Sequence, residues 1–235
     1  MSPVRIGYLC ATALAGVALS ACSGPLSTLE PAGPAAGSIA LLWWIMLAGA
    51  VVLFVVVVGL FSLAFVRPNW LAGISARNWI IHGGISMSSV VILMLLVAAF
   101  VLGERLIARP LAEPPLTVQA DGRMWVWEFS YPEADGQLVT LGVLHIPAGQ
   151  AVDVVVTSSD VIHSFWSPRL AGKVDAVPGH ENVVRLTADR PGTYRGVCAE
   201  FCGNGHTEMQ FSVVAHPPEE YEQALAKAAT AEGAQ

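Results

Sequence analysis

The sequence predicts an α+β membrane protein: a two-helix transmembrane hairpin followed by an all-β sandwich. Three observations carry this expectation. Residues 39–66 hold no charged side chain, and residues 79–102 hold a single ionisable group, His82. Runs of that length and apolarity can each cross a bilayer. Beyond residue 116, short apolar and β-branched runs recur between Pro/Gly turns, as in a sandwich. The whole chain is 54% hydrophobic and only 13% charged, a balance that points to membrane segments.

At the start of the chain, residues 1–21 read as a secretory signal, with Arg5 ahead of an apolar stretch over 6–19. The signal closes on Leu19-Ser-Ala-Cys22, which resembles a bacterial lipobox, so Cys22 is expected to carry lipid as the first mature residue. Residues 22–38, rich in Pro, Gly, Ala and Ser, read as an extended linker. The first span, 39–66, would place Trp43 and Trp44 at the outer interface. The loop 67–78 carries Arg67 and Arg77 and no acid, so it is expected on the cytoplasmic side. The second span, 79–102, holds His82 near that end, and residues 103–115 form a connector. Seven strands are expected over 117–130, 138–146, 152–157, 161–166, 182–187, 193–197 and 209–215, within a domain over 116–216. Residues 217–235 form a tail that opens like a helix, with Pro and acids in its first turn.

Charge is unevenly spread. From residue 116 onward there are seven Lys/Arg against fifteen Asp/Glu, a balance of −8 within a total of −6. An acidic soluble part favours basic partners and excludes nucleic acid.

The chemistry gathers in Cys198-Ala-Glu-Phe-Cys202-Gly-Asn-Gly-His206-Thr-Glu-Met209. Gly203, Asn204 and Gly205 oppose a continuous helix, so a loop must converge the side chains. Strand-like runs flank it, and His163 in an apolar run upstream fits as a further ligand. Thiolate, imidazole and thioether together suit copper, zinc or iron. One thiolate, two His and Met would describe a mononuclear blue-copper site; the second Cys allows two metal ions bridged by two thiolates. Two readings compete. Two Cys in an exported domain commonly pair as a disulfide, and Cys198, Cys202, His163 and His206 could hold zinc, which leaves Met209 without a role.

At these residues the chain resembles a known family. Trp125-Val-Trp-Glu-Phe129, His163-Ser-Phe-Trp-Ser-Pro-Arg-Leu170, Gly172-Lys-Val-Asp-Ala-Val-Pro-Gly179, Arg190-Pro-Gly-Thr-Tyr194 and the Cys/His/Met loop resemble subunit II of haem–copper cytochrome c oxidases. The resemblance implies a cupredoxin-like domain with a dinuclear copper A centre held by His163, Cys198, Cys202, His206, Met209 and the backbone carbonyl of Glu200. It implies that the Glu200 side chain reaches a magnesium ion shared with subunit I. It implies that an electron enters from cytochrome c at an exposed Trp125, while Trp127, two residues on and so on the same strand face, packs in the core. Arg169, Lys173 and Asp175 match loops facing the catalytic subunit. The implied partners are cytochrome c, subunits I and III and the lipid bilayer. The implied setting is the bacterial inner membrane, with the copper domain and N-terminus periplasmic and oxygen reduction in subunit I coupled to proton translocation. One departure stands out: many members have an acid near the start of the second helix, and this chain has His82 in that stretch instead. The alternatives are a quinol oxidase homologue, which lacks the copper ligands, and a free-standing periplasmic copper protein, which needs no two spans.

Overall fold

The computed structural model describes residues 23–71, 73–104, 111–133 and 136–232, so the signal segment and Cys22 lie outside it. The chain divides into two compact units, 38–105 and a β unit that also takes in residues up to 37.

Unit 38–105 is helical. Helix α1 (Pro34–Val66) begins before the expected 39. Its first residue is Pro, whose fixed φ suits the first helical position and whose missing N–H is no loss there. The helix stops at Val66 because Pro68 disfavours helical backbone in the residue before it, and Pro68–Leu71 forms one separate turn. Helix α2 (Ala76–Gly103) is capped by Ser75, whose hydroxyl accepts from the Asn78 N–H at 3.3 Å. It winds as a π-helix over Trp79–Ser86, a segment that contains Gly83, Gly84 and His82. Both helices are apolar on every face and long enough to cross a membrane.

The β unit is a sandwich of two five-stranded sheets. One sheet has the order β3 (Gly136–Leu141), β2 (Val126–Glu133), β1 (Leu116–Arg123), β5 (Val152–Ser158), β8 (Asn182–Leu186). The other runs β4 (Val143–Pro147), β10 (Gln210–His216), β9 (Gly192–Cys198), β6 (His163–Trp166), β7 (Val174–Ala176). Two expected strands are each two. The run 117–130 is the β1–β2 hairpin, with Arg123 paired to Val126 across Met124-Trp125. The run 138–146 breaks at Gly142, whose φ of +68° turns the chain from one sheet into the other. Alternation on β2 sends Trp127, Phe129 and Tyr131 inward, where Trp127 meets Phe165 and Phe211 edge-on at 5.6 and 5.8 Å.

The expected linker is partly a strap on this sandwich. The Ala32 N–H donates to the Arg169 carbonyl at 2.7 Å, and its own carbonyl accepts from the Asp189 N–H at 2.8 Å. The Ala36 N–H reaches the Leu170 carbonyl at 3.2 Å. Ala32 is buried, and Gly33 passes so close to the Leu170 carbonyl that a Cβ would stand 3.1 Å from it. At the other end, helix α3 (Tyr221–Glu232) packs on β3 and β4 through buried Tyr221 and Leu225.

Candidate metal centre

The strands deliver the five side chains to one end of the sandwich. His163 opens β6, Cys198 closes β9, and Met209 immediately precedes β10. Phe165 pairs with Cys198 across β6 and β9, and the Cys198 N–H donates to the Met209 carbonyl at 2.9 Å. The loop between β9 and β10 then has only to bring Cys202 and His206 inward. A single 3-10 turn, His206–Glu208, does so.

The side chains meet in a nearly symmetric order. The Cys198 and Cys202 sulfurs are 3.9 Å apart, and neither thiol is in a disulfide. His163 Nδ1 lies 3.8 Å from Cys198 Sγ, and His206 Nδ1 lies 3.6 Å from Cys202 Sγ. Met209 Sδ lies 3.8 Å from Cys202 Sγ, and the Glu200 carbonyl accepts from Cys198 Sγ at 3.3 Å. Each sulfur therefore has one imidazole, and each has one weaker donor, a thioether on one side and a carbonyl on the other. His163, Cys198, Cys202 and Met209 are all buried and His206 is half-buried, so protein atoms line most of the space between them.

This donor set fits soft metal ions. Burial, then the charge of neighbouring Cys198, pushes the Cys202 thiol up to about 11. A metal bound here must displace those protons, as thiolate ligation requires. The buried thioether beside Cys202 argues for copper over zinc, because zinc draws on thiolate, imidazole and carboxylate.

Sequence reasoning missed the residue that orients His163. Asp160 Oδ1 lies 2.7 Å from His163 Nε2. The ring proton therefore sits on Nε2 and donates to the carboxylate, leaving Nδ1 free to face Cys198. Burial opposes ionisation of Asp160, but hydrogen bonds from the Met124 N–H, His163 and the Val161 N–H outweigh it and hold the carboxyl below its usual range. The available signal was an acid three residues ahead of the ligand. Gly122 was missed as well: a Cβ there would stand 3.0 Å from His163 Cδ2, so this β1 position must be bare for the ring to seat.

Trp125 corrects an expectation about faces. It lies in the β1–β2 turn, not on the strand, so it does not share a face with Trp127. Trp127 is fully buried and Trp125 is 43% exposed. The Trp125 indole N–H donates to the Cys202 carbonyl at 3.1 Å. Its ring lies over Gly203 and Gly205; a Cβ on Gly205 would come 2.5 Å from Trp125 Cδ2. The exposed Glu200 and Phe201 border an open depression with Met124, Val161, Ile162 and Asp175, about 630 Å³ in volume. Lys173 and Asp175 pair with each other at 3.2 Å on the surface. Arg169 is engaged within the chain: its Nε donates to the Glu30 carbonyl at 2.9 Å and its guanidinium lies over the Tyr194 ring.

Residues 134–216 match the family described as cytochrome c oxidase subunit II, periplasmic domain. Cytochrome c oxidase subunit 2 of Alkalihalophilus pseudofirmus is 30% identical over 223 residues, covering 87% of this chain and 63% of that one. Its namesake in Thermostichus vulcanus is 42% identical over 109 residues, covering 46% of this chain and 32% of that one. The chain thus spans less than two thirds of either relative's length. Among solved structures, the periplasmic domain of subunit II of cytochrome oxidase of Bradyrhizobium japonicum is 27% identical, with a TM-score of 0.47 over 50% of this chain and 96% of that one.

Proposed function

We propose that this chain, whose residues 134–216 match the cytochrome c oxidase subunit II family, is the electron-entry subunit of a terminal oxidase. Cytochrome c delivers electrons to a dinuclear copper A centre in the β unit, from which they pass to haem in subunit I. Oxygen is reduced there, with proton translocation. The observation that carries this reading is the pairing of two free, buried thiols with one imidazole on each. Bound by His163, Cys198, Cys202, His206, Met209 and the Glu200 carbonyl, two copper ions would supply a one-electron store.

The chain's own residues prepare that site. Asp160 holds the proton on His163 Nε2 and so keeps Nδ1 available. Trp127 packs edge-on against His163 and is itself backed by Phe165 and Phe211, so the ligand ring rests on an apolar cluster. Trp125 covers the loop and touches the Cys202 carbonyl, which supports it as the entry point, since Cys202 is itself a ligand. The exposed Glu200 carboxylate, a hard oxygen donor, is the magnesium contact towards subunit I. Lys173 and Asp175 lie on the same exposed side as candidates for that interface.

Helices α1 and α2 anchor the chain in the bacterial inner membrane beside subunits I and III, with the β unit and Cys22 on the periplasmic side. The acidic β unit steers a basic cytochrome c, so turnover falls as salt rises. The test is metal analysis with electron paramagnetic resonance of the purified chain. Two copper ions per chain sharing one delocalised electron are expected; one copper, or unchanged activity with both Cys replaced, would overturn the reading.

A further inference from the structure

Strand β4 is the outer strand of its sheet, and its only neighbour in the sheet is β10, in parallel register. That register sets His145 opposite Val214, so His216, two residues on, projects from the same face. The two rings meet: His145 Nδ1 lies 2.8 Å from His216 Nε2. Their centroids are 5.1 Å apart with planes 13° from parallel. A centroid spacing that long at that nitrogen distance means the rings lie end to end, close to one plane, joined by a straight N–H···N bond. The gap fits a shared proton and not a metal ion. Where the second sheet ends, Pro147 sits opposite His216 and has no N–H to give the ladder, so the histidine bond there adds to a single backbone bond, from the Ala148 N–H to the His216 carbonyl at 2.8 Å.

The C-terminal helix hangs from this corner. Pro217, Pro218, Glu219 and Glu220 lead from His216 into α3, which is held by Tyr221 and Leu225. Among the described residues the buried Tyr221 hydroxyl has no hydrogen-bond partner, so α3 sits on a small and imperfect seat. We infer that His145 and His216 form an acid-sensitive latch that keeps helix α3 seated at neutral pH and lets it go in acid.

Among the described residues the groups around the pair are few. From β2, the Tyr131 hydroxyl accepts from the His145 backbone N–H at 2.7 Å, not from its ring. Strand β3 has no ionisable residue. Helix α3 brings Tyr221, Glu222 and Lys227, and the turn before it brings Glu220. Strand β9, on the far side of β10, brings Arg195 only opposite Ser212. Burial pushes His216 down, and Glu220 partly restores it. Burial, then His216, pushes His145 down to about 4. The first proton therefore settles on His216, and the bond survives, because a charged His216 donates to a neutral His145. The second proton leaves two donors facing each other with no acceptor.

The sign is fixed by linkage. Both rings bind protons more weakly when closed than when open. Closure is therefore at full strength above about 6.5 and weakens as pH falls from there to about 4. For His145 alone the opening equilibrium rises ~300-fold at most over that range, and screening at a half-buried ring reduces this to roughly ten- to a hundredfold.

The experiment is backbone hydrogen exchange by mass spectrometry on the full chain in detergent, between pH 7.5 and 4, corrected for intrinsic rates. Exchange in Tyr221–Glu232 should rise ten- to a hundredfold relative to β5, and the double variant His145→Gln, His216→Gln, whose amides can pair but not titrate, should lose that rise. An equal rise in the double variant, or an equal rise in β5, would overturn the latch. Exchange at the imidazole C2 positions in the unmodified chain gives an independent reading: His145 titrating at or above 6.5 would also overturn it.

Discussion

Replacing Asp160 by Asn isolates the orientation of one metal ligand from everything else in the site. In the native chain both carboxylate oxygens are in use: Oδ1 faces His163 Nε2 at 2.7 Å and the Val161 N–H at 2.6 Å, and Oδ2 takes the Met124 N–H at 2.7 Å. An amide accepts on one side only. If its oxygen stays with His163, its NH₂ opposes the Met124 N–H; if it flips, the imidazole loses its acceptor. A hydrogen bond to a charged group contributes about 1.5–3 kcal/mol. The carboxylate side chain is 26% exposed, so the lower end applies, about 1.5–2 kcal/mol. At ~1.4 kcal/mol per factor of ten, copper affinity should fall roughly 10–30-fold, within the range for a group that orients a metal-bound His. The assay is competition against a chelator of known copper affinity, with the resonance spectrum recorded at saturation. Two copper ions should still bind once enough metal is present. An affinity within about twofold of the native chain would refute the orientation argument.

Three further substitutions probe the rest of the β unit. Trp125→Ala should leave copper content near native and slow reduction by cytochrome c, while a small artificial reductant works almost as before; stopped-flow reduction separates the two. Loss of copper instead would mean that the indole bond to the Cys202 carbonyl chiefly holds the loop. Trp127→Ala, at a fully buried site, should destabilise the β unit by about 3–5 kcal/mol in thermal or denaturant melts; native stability would contradict its place in the core. Ala32→Glu sets a carboxylate where only 2% of the residue is exposed, so it should lower the melting temperature of the β unit although it lies outside every strand. An unchanged melt would show that the strap is dispensable.

The site was legible because its chemistry is dense: two Cys, two His and a Met at short offsets constrain one another, and a loop between strands is the simplest way to converge them. The helices were legible because nothing but apolar composition satisfies a span of that length. Three things were not. Trp125 and Trp127 look like neighbours on one strand face, and only the hairpin turn between Arg123 and Val126 separates their roles. Asp160 carries no mark in sequence, since its value lies in a contact that requires β6 to be in place. Ser23-to-Ser38 composition suggests an extended linker; what it cannot reveal is that the backbone N–H and carbonyl of Ala32 meet Arg169 and Asp189, residues more than a hundred positions away. Backbone pairing of that kind leaves almost no side-chain signature.

The strap also constrains how the chain can be threaded. Residues 30–36, the last of which form the first turn of α1, are made before the apolar length of either helix, and the sandwich they fasten to is made after both. Segments that bond to each other must end on one side of any bilayer the chain crosses, so the number of crossings between them is even. Two helices satisfy that parity. Deleting either one, or adding a third, would leave the strap and its seat facing different compartments. For a chain whose two helices both cross a bilayer, the four contacts at Glu30, Ala32 and Ala36 are compatible with that even count and with no odd one.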